Sequence, residues 1–505
     1  MLKNKVKVWA MVVSVLLAIF IVMTSLLYIQ NNDLKSKNDK VSANLVSAQS
    51  NLASTQASKI SSDKKLASIK LGVTQKLKVL GIFVKNDMTQ EELFSQALQV
   101  QSPWFITEMK FDLPLGQLDI HIDFERGSVF EYQDDESGIK GKYKAYDTTV
   151  KTWRHLNFFQ YKCFLHAFIP RVDIGNGKVR QVQAPWEGKS NGFTLLFEAL
   201  ALQLVKLLPV HQVACLLGTY DLKLWNIMHI YTDLCRESED FSEVKRIGVD
   251  ETAARRGHDY VSLFVDLDQK RTIFVTNGKG SETVEAFAKD LEEHNGNPKQ
   301  VTEVSCDMSP AFIKGVNDYL PEAYIVFDHF HIMKIINEAV DKVRREEAKI
   351  NPLLRSHRYL FLKNRKNHTA KQKEIFDNLS LRGINLKTMK AYNMKEAFQQ
   401  IYNAADPEVF LSLLRKWYFW ATHCRLEPFI EAAKTIKRHW YGVQNWAFFK
   451  IDNGILEGFN SLFQAAKAKA RGYRSTETIK TVIYILTGKL DFAKINPACA
   501  THSLL

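Results

Sequence analysis

Four carboxylates stand where they could act together. Asp250 follows the apolar, β-type stretch 244–249, Asp307 follows 301–306, and Asp328 follows 323–327. Glu457 falls in the first turn of a helix that begins after an Asn453-Gly454 turn. Carboxylates at the C-terminal ends of neighbouring strands lie side by side, and clustered carboxylates suit hard, oxygen-preferring ions such as Mg²⁺ or Mn²⁺. Each residue also has an ordinary role open to it. An aspartate can close a strand or open a turn, and a glutamate in a first helical turn is favoured by the helix dipole. Glu251 alternates to the other side of an extended chain from Asp250 and is left out of the set. His329 and His331 follow Asp328 and could position water or phosphate, or serve as structural hydrogen-bonding groups. A basic set lies downstream: Lys467, Lys469, Arg471 and Arg474 flank a helix end near Gly472. From residue 458 onward seven Lys or Arg face two Asp or Glu, a composition suited to gripping phosphates. Arg256 and His258 are further candidates for DNA contact, with a solvated loop as the alternative.

The elements that must position these groups follow an α/β order. Strands are expected at 244–249, 260–267 and 272–276, joined by hairpins. A helix capped by Ser281 runs to about residue 293, then come a strand at 301–306, a helix opening at Pro310, and a strand at 323–327. From about 329 to 450 the pattern is helical, basic and rich in tryptophan (Trp417, Trp420, Trp440, Trp446). Ahead of this half, 118–124 alternates with period two and 147–186 reads as further short strands, giving a small β-rich module. Residues 192–233 are helical. Within them a short helix from Val210, a turn at Gly218 and a helix capped by Asp221 have helix-turn-helix spacing, which any helical hairpin shares.

The first 87 residues differ from the rest. Lys3, Lys5 and Lys7 precede a charge-free run from Val8 to Ile29, long enough to cross a bilayer as a helix. Residues 31–70 are polar with loose helical spacing of Leu and Val. Thirteen lysines and four aspartates fall in 1–87, so about +9 of the chain's net +13 lies there and about +4 in the remainder. Such an excess points to a polyanion, either nucleic acid or an acidic membrane surface. The six cysteines are scattered without a C-x-x-C pair, so neither a zinc ribbon nor a disulfide framework is indicated.

Several stretches together resemble the DDE transposases of the ISL-three type. They are Gln101-Ser-Pro-Trp104, residues 118–124, Lys151-Thr-Trp-Arg-His-Leu-Asn-Phe-Phe159, Val179-Arg-Gln-Val182 with Pro185-Trp186, and Gly192-Phe-Thr-Leu-Leu-Phe197. The second half adds Ile247-Gly-Val-Asp-Glu251, Arg256-Gly-His258, Asp307-Met-Ser-Pro-Ala-Phe312, Val326-Phe-Asp-His-Phe-His331 and Asn453-Gly-Ile-Leu-Glu-Gly-Phe-Asn460. The resemblance covers about residues 90–490. It implies a ribonuclease-H-like catalytic domain with a large all-helical insertion, and it places the metal-binding catalytic acids on Asp250, Asp307 and Glu457, with Asp307 preferred over Asp328. Two Mg²⁺ or Mn²⁺ ions would then serve phosphodiester hydrolysis and strand transfer. Partners implied are double-stranded DNA, as the element's terminal inverted repeats and the target, and a second copy in a homodimer. The family's zinc finger would fall at about 128–178, where only Cys163 is present, so no zinc is expected.

The expected organisation is a membrane-anchor-like segment (1–30), a polar or coiled-coil leader of foreign origin (31–87), the β-rich module (88–190) and a helix-turn-helix DNA-binding region (191–240). A split catalytic core (241–330 and 451–490) then encloses the helical insertion (331–450), and a tail (491–505) ends the chain. Residues 88–505 are expected in the cytoplasm and nucleoid, with membrane association through residues 8–29 where the leader is expressed. The alternatives are a decayed DNA-binding remnant and a membrane-anchored coiled-coil protein. Thr89 and Glu92 have capping-box spacing, so a chain begun at Met88 starts at a natural helix boundary. It is expected to be soluble and at least as active in DNA cleavage as the full chain. Fractionation and a cleavage assay on both forms check this, and loss of folding on truncation would refute it.

Overall fold

The computed structural model describes residues 89–134, 138–175, 177–255, 259–382, 386–451 and 453–501. The charge-free run 8–29 and the leader to residue 87, with Arg256 and His258, lie outside these. No helix among the described residues is long and apolar enough to cross a membrane. The chain divides into two compact units, Met1–Ile106 and Thr107–Leu505. In the first, helix α1 (Gln90–Ala97) carries the expected capping box: the Thr89 hydroxyl accepts from Glu92 N–H and the Glu92 carboxylate accepts from Thr89 N–H.

The β-rich module is built from β1 (Trp104–Asp112), β2 (Gln117–Phe124), β3 (Val129–Asp134), β4 (Ile139–Phe158), β5 (Tyr161–Asp173) and β6 (Val179–Gln181). Their order is β1-β2-β5-β4-β3, with β6 on β5. The strands expected to be short are instead two long ones, β4 of 20 residues and β5 of 13, paired antiparallel. Successive partners explain the length of β4: residues 139–144 pair with β3 and residues 145–158 with β5. Apolar positions of β2 (Leu118, Ile120, Ile122) and β5 (Cys163, Leu165, Ala167, Ile169) turn inward.

Helices α2 (Leu195–Leu207), α3 (Val210–Leu217) and α4 (Asp221–Glu237) follow. The α3–Gly218–α4 hairpin has the expected outline, with Gly218 in the left-handed region. Asp221, however, is the first residue of α4 and not its cap; Tyr220 occupies that position without a side-chain bond, and the Asp221 carboxylate meets His211 at 3.1 Å instead.

The second sheet contains β7 (Arg246–Ala253), β8 (Tyr260–Asp266), β9 (Arg271–Asn277), β10 (Glu303–Cys306) and β11 (Tyr324–Phe327), in the order β11-β10-β7-β8-β9. β7, β10 and β11 are parallel; β7, β8 and β9 are antiparallel. The expected strand ending at Asp250 runs on to Ala253, because β8 continues to pair with it after β10 has stopped. Helices α5 (Glu282–Glu293) and α6 (Pro310–Tyr319) cover one face with Phe287, Leu291, Phe312 and Val316. Ser281 precedes α5 but makes no side-chain cap.

After β11 the chain is helical to residue 449: α7 (His329–Glu347), α8 (Arg358–Leu362), α9 (Ala370–Arg382), α10 (Lys387–Ile401), α11 (Pro407–Thr422), α12 (Glu427–Arg438) and α13 (Trp440–Phe449). This block shares a continuous apolar core with the sheet. Lys395 lies fully buried within it and donates to the carbonyls of Phe361, Leu362 and Lys363, supplying partners that α8 leaves open at its C-terminus. Helices α14 (Gly454–Lys469) and α15 (Thr476–Thr487) then close the opposite face of the sheet with α2–α4. Residues 491–501 form α16 (Phe492–Ile495) and α17 (Ala498–Thr501), and the buried Asn496 between them donates to Leu195 O and Tyr231 Oη.

The joint between the β-rich module and the helices rests on buried polar groups. Arg154 donates to the carbonyls of Cys163 and Leu217, both at 3.1 Å. Beside it His155 meets the Thr194 hydroxyl at 2.9 Å, and burial, with Arg154 nearby, pushes its imidazole down to about 4. A folded value below the unfolded 6.5 means the neutral ring is favoured, so stability is full above 6.5 and is lost as pH falls towards 4. That interval corresponds to about 3 kcal/mol. His155→Asn should flatten the acid side of the melting profile between pH 6.5 and 4, as read by thermal denaturation; an unchanged pH slope would refute the assignment.

Candidate active site

The register of the second sheet sets the acids in one row. Ser305 pairs with Gly248 on one side and with Val326 on the other. Carried forward two residues, that register brings Asp307 beside Asp250 and Asp328 beside Asp307. The electrostatics agree. Burial raises the Asp250 carboxyl to about 6, His331 opposes the rise, and repulsion from Asp307 and Asp328 adds to it. Asp250 Oδ1 accepts the Glu251 N–H at 2.8 Å, and Oδ2 accepts Asn460 Nδ2 at 2.7 Å.

Asp307 and Asp328 are used differently. Asp307 is partly exposed, and its Oδ1 accepts the Ser309 N–H. Asp328 is 3% exposed, caps α7 by accepting the Phe330 N–H, and accepts from His331 Nδ1 at 3.1 Å. This bond leads the causes that raise the His331 imidazole, with Asp250 and Asp307 contributing less. Glu251, set aside on alternation, still feels the cluster: burial raises its carboxyl, Asp307 adds to the rise, and Lys279 opposes it.

Helix α14 lies along β7 and brings in Glu457. Gly248 has room for α14 only because it lacks a Cβ, which would collide with Leu456 Cδ1. Further along, Asn460 meets Asp250, Gln464 Nε2 donates to Thr252 Oγ1 at 2.8 Å, and Lys467 Nζ donates to Ala253 O at 2.7 Å. Contacts at 456, 460, 464 and 467 follow one helical face, and Glu457 borders that face one turn before Asn460. Its side chain is exposed. Among the described residues, no three His, Cys, Asp or Glu side chains converge closely enough to hold a metal ion by themselves.

The basic set divides. Lys469 Nζ donates to Leu207 O at 3.1 Å and Lys467 to Ala253 O, so both lysines have a structural contact. Arg471 and Arg474 are exposed at the turn around Gly472. Cys163 is buried, and burial pushes its thiol up to about 12. Asn460 went unassigned in the sequence reading, although its signal was present: it stands three residues after Glu457 and so falls on the adjoining helical position.

Comparison with known proteins bears on the same residues. A DDE, ISL3-type family model described as a transposase matches residues 247–483. The chain is 25% identical over 347 residues to a transposase for insertion sequence element IS1001 from Bordetella parapertussis, an alignment covering 66% of this chain and 84% of that protein. It is 24% identical over 377 residues to the transposase for insertion sequence element IS1557 from Mycobacterium tuberculosis, strain CDC 1551 / Oshkosh, covering 68% and 82% of the two chains. The H37Rv protein of the same name matches equally. With the acid row, the α14 helix and the family match all falling in the same segment, these similarities support a DNA transposase resembling the ISL3-type DDE family.

Proposed function

We propose that this transposase cuts and joins the ends of its element at a ribonuclease-H-like site formed by Asp250, Asp307 and Glu457. The strand order, with three parallel strands, β11-β10-β7, and then β8 and β9 antiparallel beyond them, supports the fold assignment. The observation that carries the site is the partly buried Asp250 carboxylate, set in repulsion against Asp307 and bonded to the helix that bears Glu457. Such a set fits divalent cations. Its donors are all oxygens, and Asn460 adds a buried Oδ1 without a hydrogen-bond partner. Because the acids alone form no closed cage, phosphate oxygens and water would complete the shells. Bound there, two Mg²⁺ or Mn²⁺ ions would activate the attacking oxygen and stabilise the leaving one.

The chain's own groups do the rest. Asp250, inside β7, and Asp307, just after β10, would hold the ions from positions that the sheet keeps rigid, while Glu457 approaches on α14. Asp328 is the less suitable second acid, since it is only 3% exposed and caps α7, whereas Asp307 is partly exposed. The first step would hydrolyse a phosphodiester to expose a 3′-hydroxyl, and the second would be attack by that hydroxyl on target DNA. Terminal inverted repeats and a second copy of the chain would be the partners.

Asp250→Asn, Asp307→Asn and Glu457→Gln should each abolish Mg²⁺-dependent cleavage of an element-end duplex while DNA binding by gel shift persists. Asp328→Asn should chiefly cost stability, about 1 kcal/mol for the weakened cap. Near-normal cleavage by any of the first three removes that residue from the site. Among the cations, the Arg471→Ala/Arg474→Ala pair should weaken DNA binding and reduce its salt slope by about two. Lys467→Ala should mainly lower the melting temperature. A salt slope unchanged by the arginine pair would exclude that turn from the phosphate contacts.

A further inference from the structure

We infer that Asn460 is the positioning residue for Asp250, orienting its carboxylate for metal binding and coupling it to the helix that carries Glu457. The inference rests on the reading of Asp250 as a metal ligand. Asp250 lies on the face of β7 that α14 covers, and its two oxygens are held from different directions. Oδ1 is held by the neighbouring backbone N–H of Glu251, which moves with the strand. Oδ2 is held at 2.7 Å by Asn460 Nδ2, which moves with α14. The carboxylate is therefore locked only while strand and helix are docked.

The amide orientation is unambiguous, because an acceptor-only carboxylate requires the NH₂ group. Asn460 Oδ1 is left buried with no hydrogen-bond partner, an acceptor the fold itself does not use. Outer partners of this kind fix a ligand's orientation, and their loss typically lowers metal affinity by about 10–100-fold. Gln464 provides the contrast. It ties the same helix to the same strand through Thr252 without touching Asp250.

The test is a titration of the full chain with Mn²⁺ alone, free ion being read by electron paramagnetic resonance, beside thermal denaturation without metal. Asn460→Ala should weaken Mn²⁺ binding about 10–100-fold, whereas Gln464→Ala should lower the melting temperature and leave Mn²⁺ binding at the wild-type level. Asn460→Ser keeps a small polar side chain but draws the donor back from Oδ2. It should show the same loss and carries the test if the alanine variant folds poorly. Wild-type affinity in both Asn460 variants, or equal loss in Gln464→Ala, would overturn the positioning role. Asp250→Asn separates the two readings. If it binds Mn²⁺ as the wild type does, the acid site itself is wrong and the inference falls with it. If it loses binding while the Asn460 variants keep it, only the inference fails.

Discussion

A carboxylate inside the wall between a strand and a helix is the constraint around which this protein is arranged. Asp250 points from β7 into the layer covered by α14, and keeping it ionised there works against both burial and the like charges of Asp307 and Asp328. Its displacement to about 6 corresponds to about 3 kcal/mol at neutral pH. That displacement is what remains after the Glu251 N–H bond and the His331 counter-charge have opposed the rise.

Much of the remaining chain holds that wall in place. One face of the sheet is closed by α5, α6 and the helical block, the other by α2–α4 with α14 and α15. The block departs from the sheet at α7 and must return close to its starting point, since α14 has to come back against β7. It is pinned on return by α13. Asn445 donates to Ile325 O at 2.8 Å, and Gly442 lies so close to the Phe327 ring that any Cβ there would collide with it. The long excursion thus brings α14, the helix that bears Glu457, back against β7.

The β-rich module holds its shape without a cluster of cysteines. Its joint to the helices is made by buried charges and amides: Arg154 reaching Leu217 O, and Glu198 accepting from the backbone of Lys189 and Ser190 and from Tyr231 Oη. Burial raises the Glu198 carboxyl, against which these bonds act. Buried networks of this kind are specific because each member left unmatched costs more than a polar contact gains. The lysines that looked like phosphate ligands in the sequence also make structural contacts, though exposed ones: Lys467 and Lys469 each spend a donor on a backbone carbonyl.

Local patterns alone determined much of this protein. Alternation marked β2, apolar runs marked β8 and β11, the Thr89–Glu92 spacing marked the start of α1, and helical periodicity marked the block before Asn453. These features depend on residues a few positions apart, so a linear reading contains them. The length of β4 and the continuation of β7 past Asp250 were not legible, because a strand ends where its partner ends, and the partner is remote in sequence. Helix caps failed for the same kind of reason: Asp221 and Ser281 have capping chemistry, but the backbone around them puts it to other use or none. The acids could be named from their neighbours. That Asp328 is consumed by a cap and a histidine, while Asp250 is gripped by Asn460 from 210 positions away, was decided only when strand and helix packed together, because a hydrogen bond is set by distance in space.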